Sequence, residues 1–449
     1  MKLSPALAGV ALAVTVLSGA AAPGSGQKAP TRSEQVANRG HAIFPRATYT
    51  GPVVNYHAFA GHGDLAFVSL GALYVLDGAR HRLVKLVPLA GGASNPHFSP
   101  NGEWLTYFDG ECADCFYLAH ADGSGARRVP LSTNGGGRVV WLPDSRLLVG
   151  DTTYRVKAAG ELATTGRVPA HLVAWSPGWD EFAFETAQVK TSADGAFRGK
   201  WALELASSIT GKRTVWYQSP ISFDPRSGRG FQGDQFAGAQ VLPRHEGVLF
   251  SVDPGNSADD SGGRPLYWLA TPRGKPFALG RSRQATSVSR IGVLAVGAGG
   301  NEYAWMDKHV DICRPAPLRC STLSVPPGQL AFDPAWAPDG GTLALVEAKA
   351  ETAEDFEPST VANWYSTHHL FLWAVGSPRP VLVPGTQGAA APTWSADGKS
   401  VLYVAQDYLW LLRDGSRPAK LAGPVLVRGD WGAFFGQIDW QSDFAWSQA

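Results

Sequence analysis

With 449 residues, 44% of them hydrophobic, the chain has enough apolar material for an extensive core, which excludes wholesale disorder. Its 39 Lys and Arg balance 38 Asp and Glu and form no long basic run, so a nucleic-acid partner or an anionic membrane surface has no electrostatic support. The 52 Gly, 32 Pro and 16 Trp suit many short strands joined by many turns.

The chain opens with MKLSPALAGVALAVTVLSGAAAPG. One Lys precedes an apolar stretch from about Ala6 to Leu17, and small residues follow around Ala20–Ala22. This pattern predicts a cleaved export signal over residues 1–22, with an uncleaved membrane anchor as the alternative. No Cys follows LSGA, so the signal of a lipoprotein is missing. Residues 23–46 are polar, contain Gly and Pro, and are aperiodic, which predicts a flexible leader. Residues 47–449 are then expected to form one domain, periplasmic or extracellular.

A hairpin pattern recurs along that domain. In NPHFSPNGEWLTYF, Phe98 precedes a Ser-Pro-Asn-Gly turn, and Leu105 and Tyr107 alternate after it. The same spacing pairs Trp175 with Phe182 and Phe184, and with one residue deleted it pairs Phe59 with Leu65 and Phe67 and Trp141 with Leu147 and Val149. It continues with Val241 (Val248, Phe250), Val296 (Tyr303, Trp305), Trp336 (Leu343, Leu345) and Trp394 (Val401, Tyr403). A shortened copy, IDWQSDFAW, closes the chain at Trp440. After most copies comes a second hairpin, such as ALYVLDG with RLVKLV or YLWLLRDG with RPAKLA. Each unit therefore reads as a four-stranded antiparallel meander, a–b–c–d. One such unit cannot bury its own faces, and radial repetition solves that problem. The expected fold is all-β, a β-propeller of eight blades, with seven as the alternative. The units begin near residues 52, 91, 136, 170, 236, 284, 329 and 388, and the C-terminal strands are expected to close the ring onto the segment around Tyr56–Phe67.

The form x-Pro-x-[Phe/Trp]-Ser-Pro-[Asp/Asn]-Gly, seen in NPHFSPNG, DPAWAPDG and APTWSADG, resembles the repeat of the TolB-like propeller family over most of residues 52–447. The resemblance implies the propeller fold and, by analogy with TolB itself, a periplasmic protein-binding component. TolB carries six blades behind a separate N-terminal domain, an arrangement that this chain departs from.

Four Cys remain, in ECADC and CRPAPLRC. In an exported chain they are expected to pair locally, Cys112 with Cys115 and Cys313 with Cys320; free thiols, a redox pair or a zinc site are the alternatives. No G-x-S-x-G elbow, H-E-x-x-H or D-x-D-x-D run exists, so no catalytic residue, metal or cofactor is expected. His368 and His369 are adjacent and would face opposite sides of a strand. The repeated Trp residues read as packing between blades, and the Asn-Gly and Asp-Gly pairs as turn chemistry.

The longest connections, 187–200, 218–237, 252–264 and 349–368, all leave from the end of the ring that carries the b–c and d–a links. Recognition is expected there, through Phe223, Asp224, Arg226, Arg229 and Phe231 of one loop and Trp364, Tyr365 and His368 of another. The functional expectation is a monomeric, non-catalytic binding or assembly propeller for a protein or cell-envelope component. The alternative is a glycan lyase or glycosidase with loop-borne residues.

Overall fold

The computed structural model describes residues 51–447 apart from 87–91, 110–111, 132–138, 169–171, 176–180, 193–194, 208–209, 225–228, 232–233, 243–245, 255–262, 283–285, 290, 315–316, 356, 426–434 and 437. The expected export signal and leader lie outside these residues. Among the described residues no helix is long and apolar enough to cross a membrane.

The strands assemble into eight antiparallel sheets; six are meanders in which neighbours in sequence are neighbours in the sheet, and the other two each take in one strand from the opposite end of the chain. These are the eight blades of a β-propeller. The innermost strand of blades 2 to 8 is, in turn, Ala93–Phe98, Val139–Trp141, Leu172–Trp175, Asp234–Val241, Thr286–Val288, Gln329–Trp336 and Ala390–Trp394. Each begins within four residues of the start read from the repeat.

The repeated turn has a local cause. In blade 2 the Ser99 hydroxyl donates to Asn101 Oδ1 at 2.7 Å and accepts from the Trp104 backbone N–H at 2.9 Å. Blade 8 repeats the device: Ser395 donates to Asp397 at 2.6 Å and accepts from the Ser400 N–H at 2.8 Å. Gly102 and Gly398 take the positive φ (68° and 70°) that lets each chain reverse.

Side chains alternate between the two faces of each blade, so each blade packs on both neighbours. In blade 1, Leu65 and Phe67 face blade 8, whereas Ala66 and Val68 face blade 2. In blade 7, Leu343 and Leu345 face blade 6, whereas Ala344 faces blade 8. Eight buried clusters correspond to the eight contacts between successive blades. The core is therefore a ring of wedges rather than one central mass.

Both chain ends close the ring. Phe444–Ser447 is the innermost strand of blade 1, paired with Asp64–Ser69 in the register Phe67↔Phe444 and Leu65↔Trp446. Val53–Val54 adds a fifth, outer strand to blade 8 against Ala422 and Gly423. The tail thus joins the N-terminal segment as expected, but with one strand rather than a hairpin. Three repeat assignments change accordingly. Phe59 ends a one-turn helix, Tyr56–Phe59, and the residue opposite Leu65 is Trp446. Trp440 is not a repeat position; it starts a 3-10 turn, Trp440–Ser442, and its ring is buried. Val296 lies in the second strand of blade 6, opposite Thr286, and Tyr303 and Trp305 belong to the connection that follows.

Both expected disulfides are present, Cys112–Cys115 and Cys313–Cys320, and no free cysteine remains. Cys313 and Cys320 stand directly opposite each other in the outer hairpin of blade 6.

Candidate functional site

The face that carries the b–c and d–a links holds two different structures. The first is a seal built over blades 6, 7, 8 and 1. The connection 349–368 of blade 7 contains a two-turn helix, Pro358–Tyr365, with Pro at its first position, where a missing N–H costs nothing. Trp364 (3% exposed), Tyr365 (5%) and His368 (1%) point into the ring rather than toward a partner. Trp364 stands edge-on to Trp305 at 5.7 Å and to His368 at 4.2 Å between ring centres, and Phe332 packs beside it at 5.5 Å. Their polar edges are tied down, since Trp364 Nε1 donates to Lys349 O at 3.1 Å and Trp305 Nε1 to Ala353 O at 2.7 Å. Burial pushes the His368 imidazole down to about 3, so it is neutral, and its Nδ1 lies 3.1 Å from the carbonyl of Ala389.

The tail completes this seal. Phe435 meets Tyr303 edge-on at 5.1 Å, and Gly436 lies flat on Trp305, where a Cβ would come within 2.4 Å of the indole ring. Replacing Trp364 by Ala is expected to lower stability by about 3–5 kcal/mol, the usual range for an emptied aromatic site, without exposing a new partner surface. Chemical denaturation of the variant checks the first part, and dye binding to exposed apolar surface checks the second.

The second structure is a projection from blade 4. Most described residues of 187–200 and 218–231 are strand rather than loop: they extend the strands Glu181–Thr191, Phe197–Ser207 and Arg213–Asp224 and add a fifth strand, Arg229–Phe231. The register holds without interruption from Glu181↔Ser207 to Thr191↔Phe197. Gly199 permits it, because a Cβ there would fall 1.9 Å from the carbonyl of Gln188. From Ala187 to Thr191 every residue is exposed, and Val189 and Phe197 each present 37% of their surface. Of the residues singled out in sequence, Phe223 and Asp224 lie at the end of the fourth strand, and Arg229 and Phe231 bound the fifth, with Phe223↔Gly230 and Asp224↔Arg229 in register. Arg226 falls outside the described residues.

The structure thus separates the two predicted groups: one seals the ring, the other sits on the blade 4 extension. It also shows a feature on the opposite face that sequence reasoning passed over. At the end with the a–b turns the channel opens into a cavity of about 670 Å³, lined by Phe98, Trp336, Trp394 and Trp446 together with Ser and Thr hydroxyls. Deeper along the same strands lie His97, one residue before Phe98, and Asp333, three residues before Trp336, with Asp439 of the tail beside them electrostatically. Burial raises the Asp333 carboxyl to about 6, although the Ala391 N–H donates to it at 3.2 Å. The signal for this site was available in the recurring x-Pro-x-aromatic stretch, which places a polar residue and an aromatic ring on adjacent rungs.

No protein-family model matches the chain, and no curated protein matches it either. Solved structures do match, 544 chains in all. An oligogalacturonate lyase in complex with manganese is 14% identical, with 81% of this chain and 97% of that one covered and a TM-score of 0.40. TolB from Acinetobacter baumannii is 12% identical, with 81% and 64% covered and a TM-score of 0.34. A prolyl endopeptidase is 13% identical, with 88% and 52% covered and a TM-score of 0.42. Likenesses at this level concern the fold alone. Among the described residues no group of three or more His, Cys, Asp or Glu is placed to hold a metal ion.

Proposed function

We propose that the protein is an exported, non-catalytic binding propeller that recognises a protein of the cell envelope through the blade 4 extension. One observation carries this reading. Among the described residues of the extension none belongs to a buried cluster between blades, yet it presents exposed Val189, Lys190, Phe197 and Arg198 on a hydrogen-bonded sheet. Aromatic, aliphatic and Arg side chains on a pre-ordered surface are the groups that anchor interfaces at low entropic cost. Phe223, Asp224, Arg229 and Phe231 are the further candidates on its outer strands, together with Arg226 in the sequence between them. The two disulfides are consistent with an oxidising compartment, as the signal-like N-terminus predicts.

The test trims the extension, joining Gln188 to Gly199 through Asn-Gly and Ile221 to Asp234 through a short Gly-containing link. The trimmed protein is expected to melt within a few degrees of the parent and to lose its cross-linked partner in envelope extract. Retention of that partner by a folded, trimmed ring would overturn the proposal. A point variant, Gly199→Val, distorts the same hairpin by the close approach to Gln188 and should weaken capture in parallel.

A further inference from the structure

The cavity at the a–b end has a chemistry of its own. It is lined by aromatic residues at equivalent places in four blades and by Ser287, Thr393 and Gln441; Ser99 and Ser395 also border it, but their hydroxyls are held within their own turns. No Lys or Arg lines it. The charges nearest its depth are the Asp333 and Asp439 carboxylates, with His97, whose imidazole burial holds below its ordinary value, beside Asp439. Such a lining repels anions and offers rings to flat apolar faces and many hydrogen-bond partners to hydroxyl groups.

The channel edges also exclude one class of guest. The innermost strand of a blade has a free edge, which could template an added peptide strand. In blades 2, 7 and 8 that edge is interrupted at the same place. Asn95, Asp333 and Ala391 take positive φ (48°, 49° and 49°), each is followed by Pro, and the ladder slips there by a bulge. Pro supplies no N–H, and the bulge breaks the register, so an extended peptide finds no continuous row of partners.

The internal bonding of this wall is also incomplete at one point. Trp141 and Trp394 each donate the indole N–H to a carbonyl of the preceding blade, His97 O at 3.1 Å and Ala335 O at 2.9 Å. Trp336, at the same repeat position and lining the cavity, has its Nε1 buried without an acceptor. An oxygen-rich ligand seated between blades 6 and 7 would supply one after a small rotation of the ring.

From these observations we infer that the a–b mouth is a binding site for a neutral oligosaccharide, with aromatic rings against the sugar faces and Gln441, Asp439, Ser287 and Thr393 on its hydroxyl groups. This site lies at the opposite end of the ring from the blade 4 extension, so the two proposals stand or fall separately.

The experiment uses the full protein, a glycan array, and titration of intrinsic Trp fluorescence with neutral gluco-, manno- and N-acetylglucosamine oligosaccharides. Polygalacturonate serves as the anionic control, and a Pro-rich peptide as the competitor class. At least one neutral series is expected to saturate, polygalacturonate not to. Ala396→Trp, which places a bulky ring at an exposed position of the mouth, should abolish the signal, and Gln441→Ala should weaken it at least ten-fold. Both variants should melt as the parent does. Absence of neutral-glycan binding across the array would overturn the inference. So would binding that Ala396→Trp leaves intact, or saturation by the Pro-rich peptide instead.

Discussion

A chain ending at Asp443 is expected to lose cooperative unfolding and to aggregate. The four residues Phe444–Ser447 are the whole innermost strand of blade 1, and without them Asp64–Ser69 becomes an unpaired edge facing the channel. Phe444 is 6% exposed and belongs to the largest buried cluster, where it meets blade 8 as well as blade 1. Emptying one such aromatic site costs about 3–5 kcal/mol. The truncation also removes the hydrogen bond from Trp446 Nε1 to His62 O (2.6 Å) and the ladder between the two chain ends. A domain's total stability is of order 5–15 kcal/mol, so the sum is a large part of what holds the ring. Calorimetry and light scattering of the truncated chain measure this directly. Phe444→Ala in the full chain isolates the packing contribution, with an expected loss of about 3–5 kcal/mol. A truncated protein that still unfolds in one sharp transition, only a few degrees lower, would mean that the N-terminal strands close the ring unaided.

Glu347→Gln is expected to stabilise the protein above neutral pH and to change little near pH 4.5. The Glu347 side chain lies between blades 6 and 7, opposite Ala331 and His369 in the sheet, and is 3% exposed with one carboxyl oxygen lacking any partner. Burial raises its carboxyl to about 7 from 4.5. The folded state therefore keeps this proton between about pH 4.5 and 7, where the unfolded chain has released it. Stability from this group is greatest below pH 4.5, falls as pH rises through that window, and reaches its full penalty above pH 7. At 1.36 kcal/mol per pH unit of displacement the penalty is about 3 kcal/mol. Asp333, raised to about 6 by burial, and Asp64, raised to about 6 by burial and then by Asp77, act in the same direction between their unfolded value of 3.8 and 6. His368, held at about 3 by burial, acts in the opposite direction below its unfolded value of 6.5, so the test is a difference: the stability gained by the Gln variant over the parent should grow from pH 4.5 to 7 and then level off. Denaturation midpoints measured across pH 4–9 check it. An unchanged slope in the variant would place the pH dependence elsewhere.

Much of the ring was legible because its instructions are local. A Ser-Pro-Asn-Gly turn between alternating strands specifies its own hairpin, through the Ser99 and Asn101 hydrogen bonds, wherever the hairpin is placed. The disulfides were legible for the same reason, since each spans a single turn. The mistaken assignments share the opposite character. Phe59 and Trp446 both stand at a plausible distance from apolar alternation, and only ring closure, which brings Trp446 to His62, 384 positions away, decides that Trp446 faces Leu65. The stretch around Val296 carries the hairpin's alternation, yet it is a second strand followed by a turn, because its partner strand, Thr286–Val288, is too short to announce itself.

The candidate sites divide along the same line. Trp364, Tyr365 and His368 occur in a long insertion and are of the types that anchor interfaces, and nothing local distinguishes that use from a buried one. Packing against Trp305, Phe332 and the tail decided it, and that packing exists only once blades 6, 7, 8 and 1 stand side by side. The sequence alone determined that the chain is a series of β-meanders and where blades 2 to 8 begin, because turn residues and two-residue alternation act over a few positions. The tertiary structure alone decided how the ring closes, which aromatic residues seal one end, and which line a cavity at the other, because burial depends on neighbours that the chain meets only after closure.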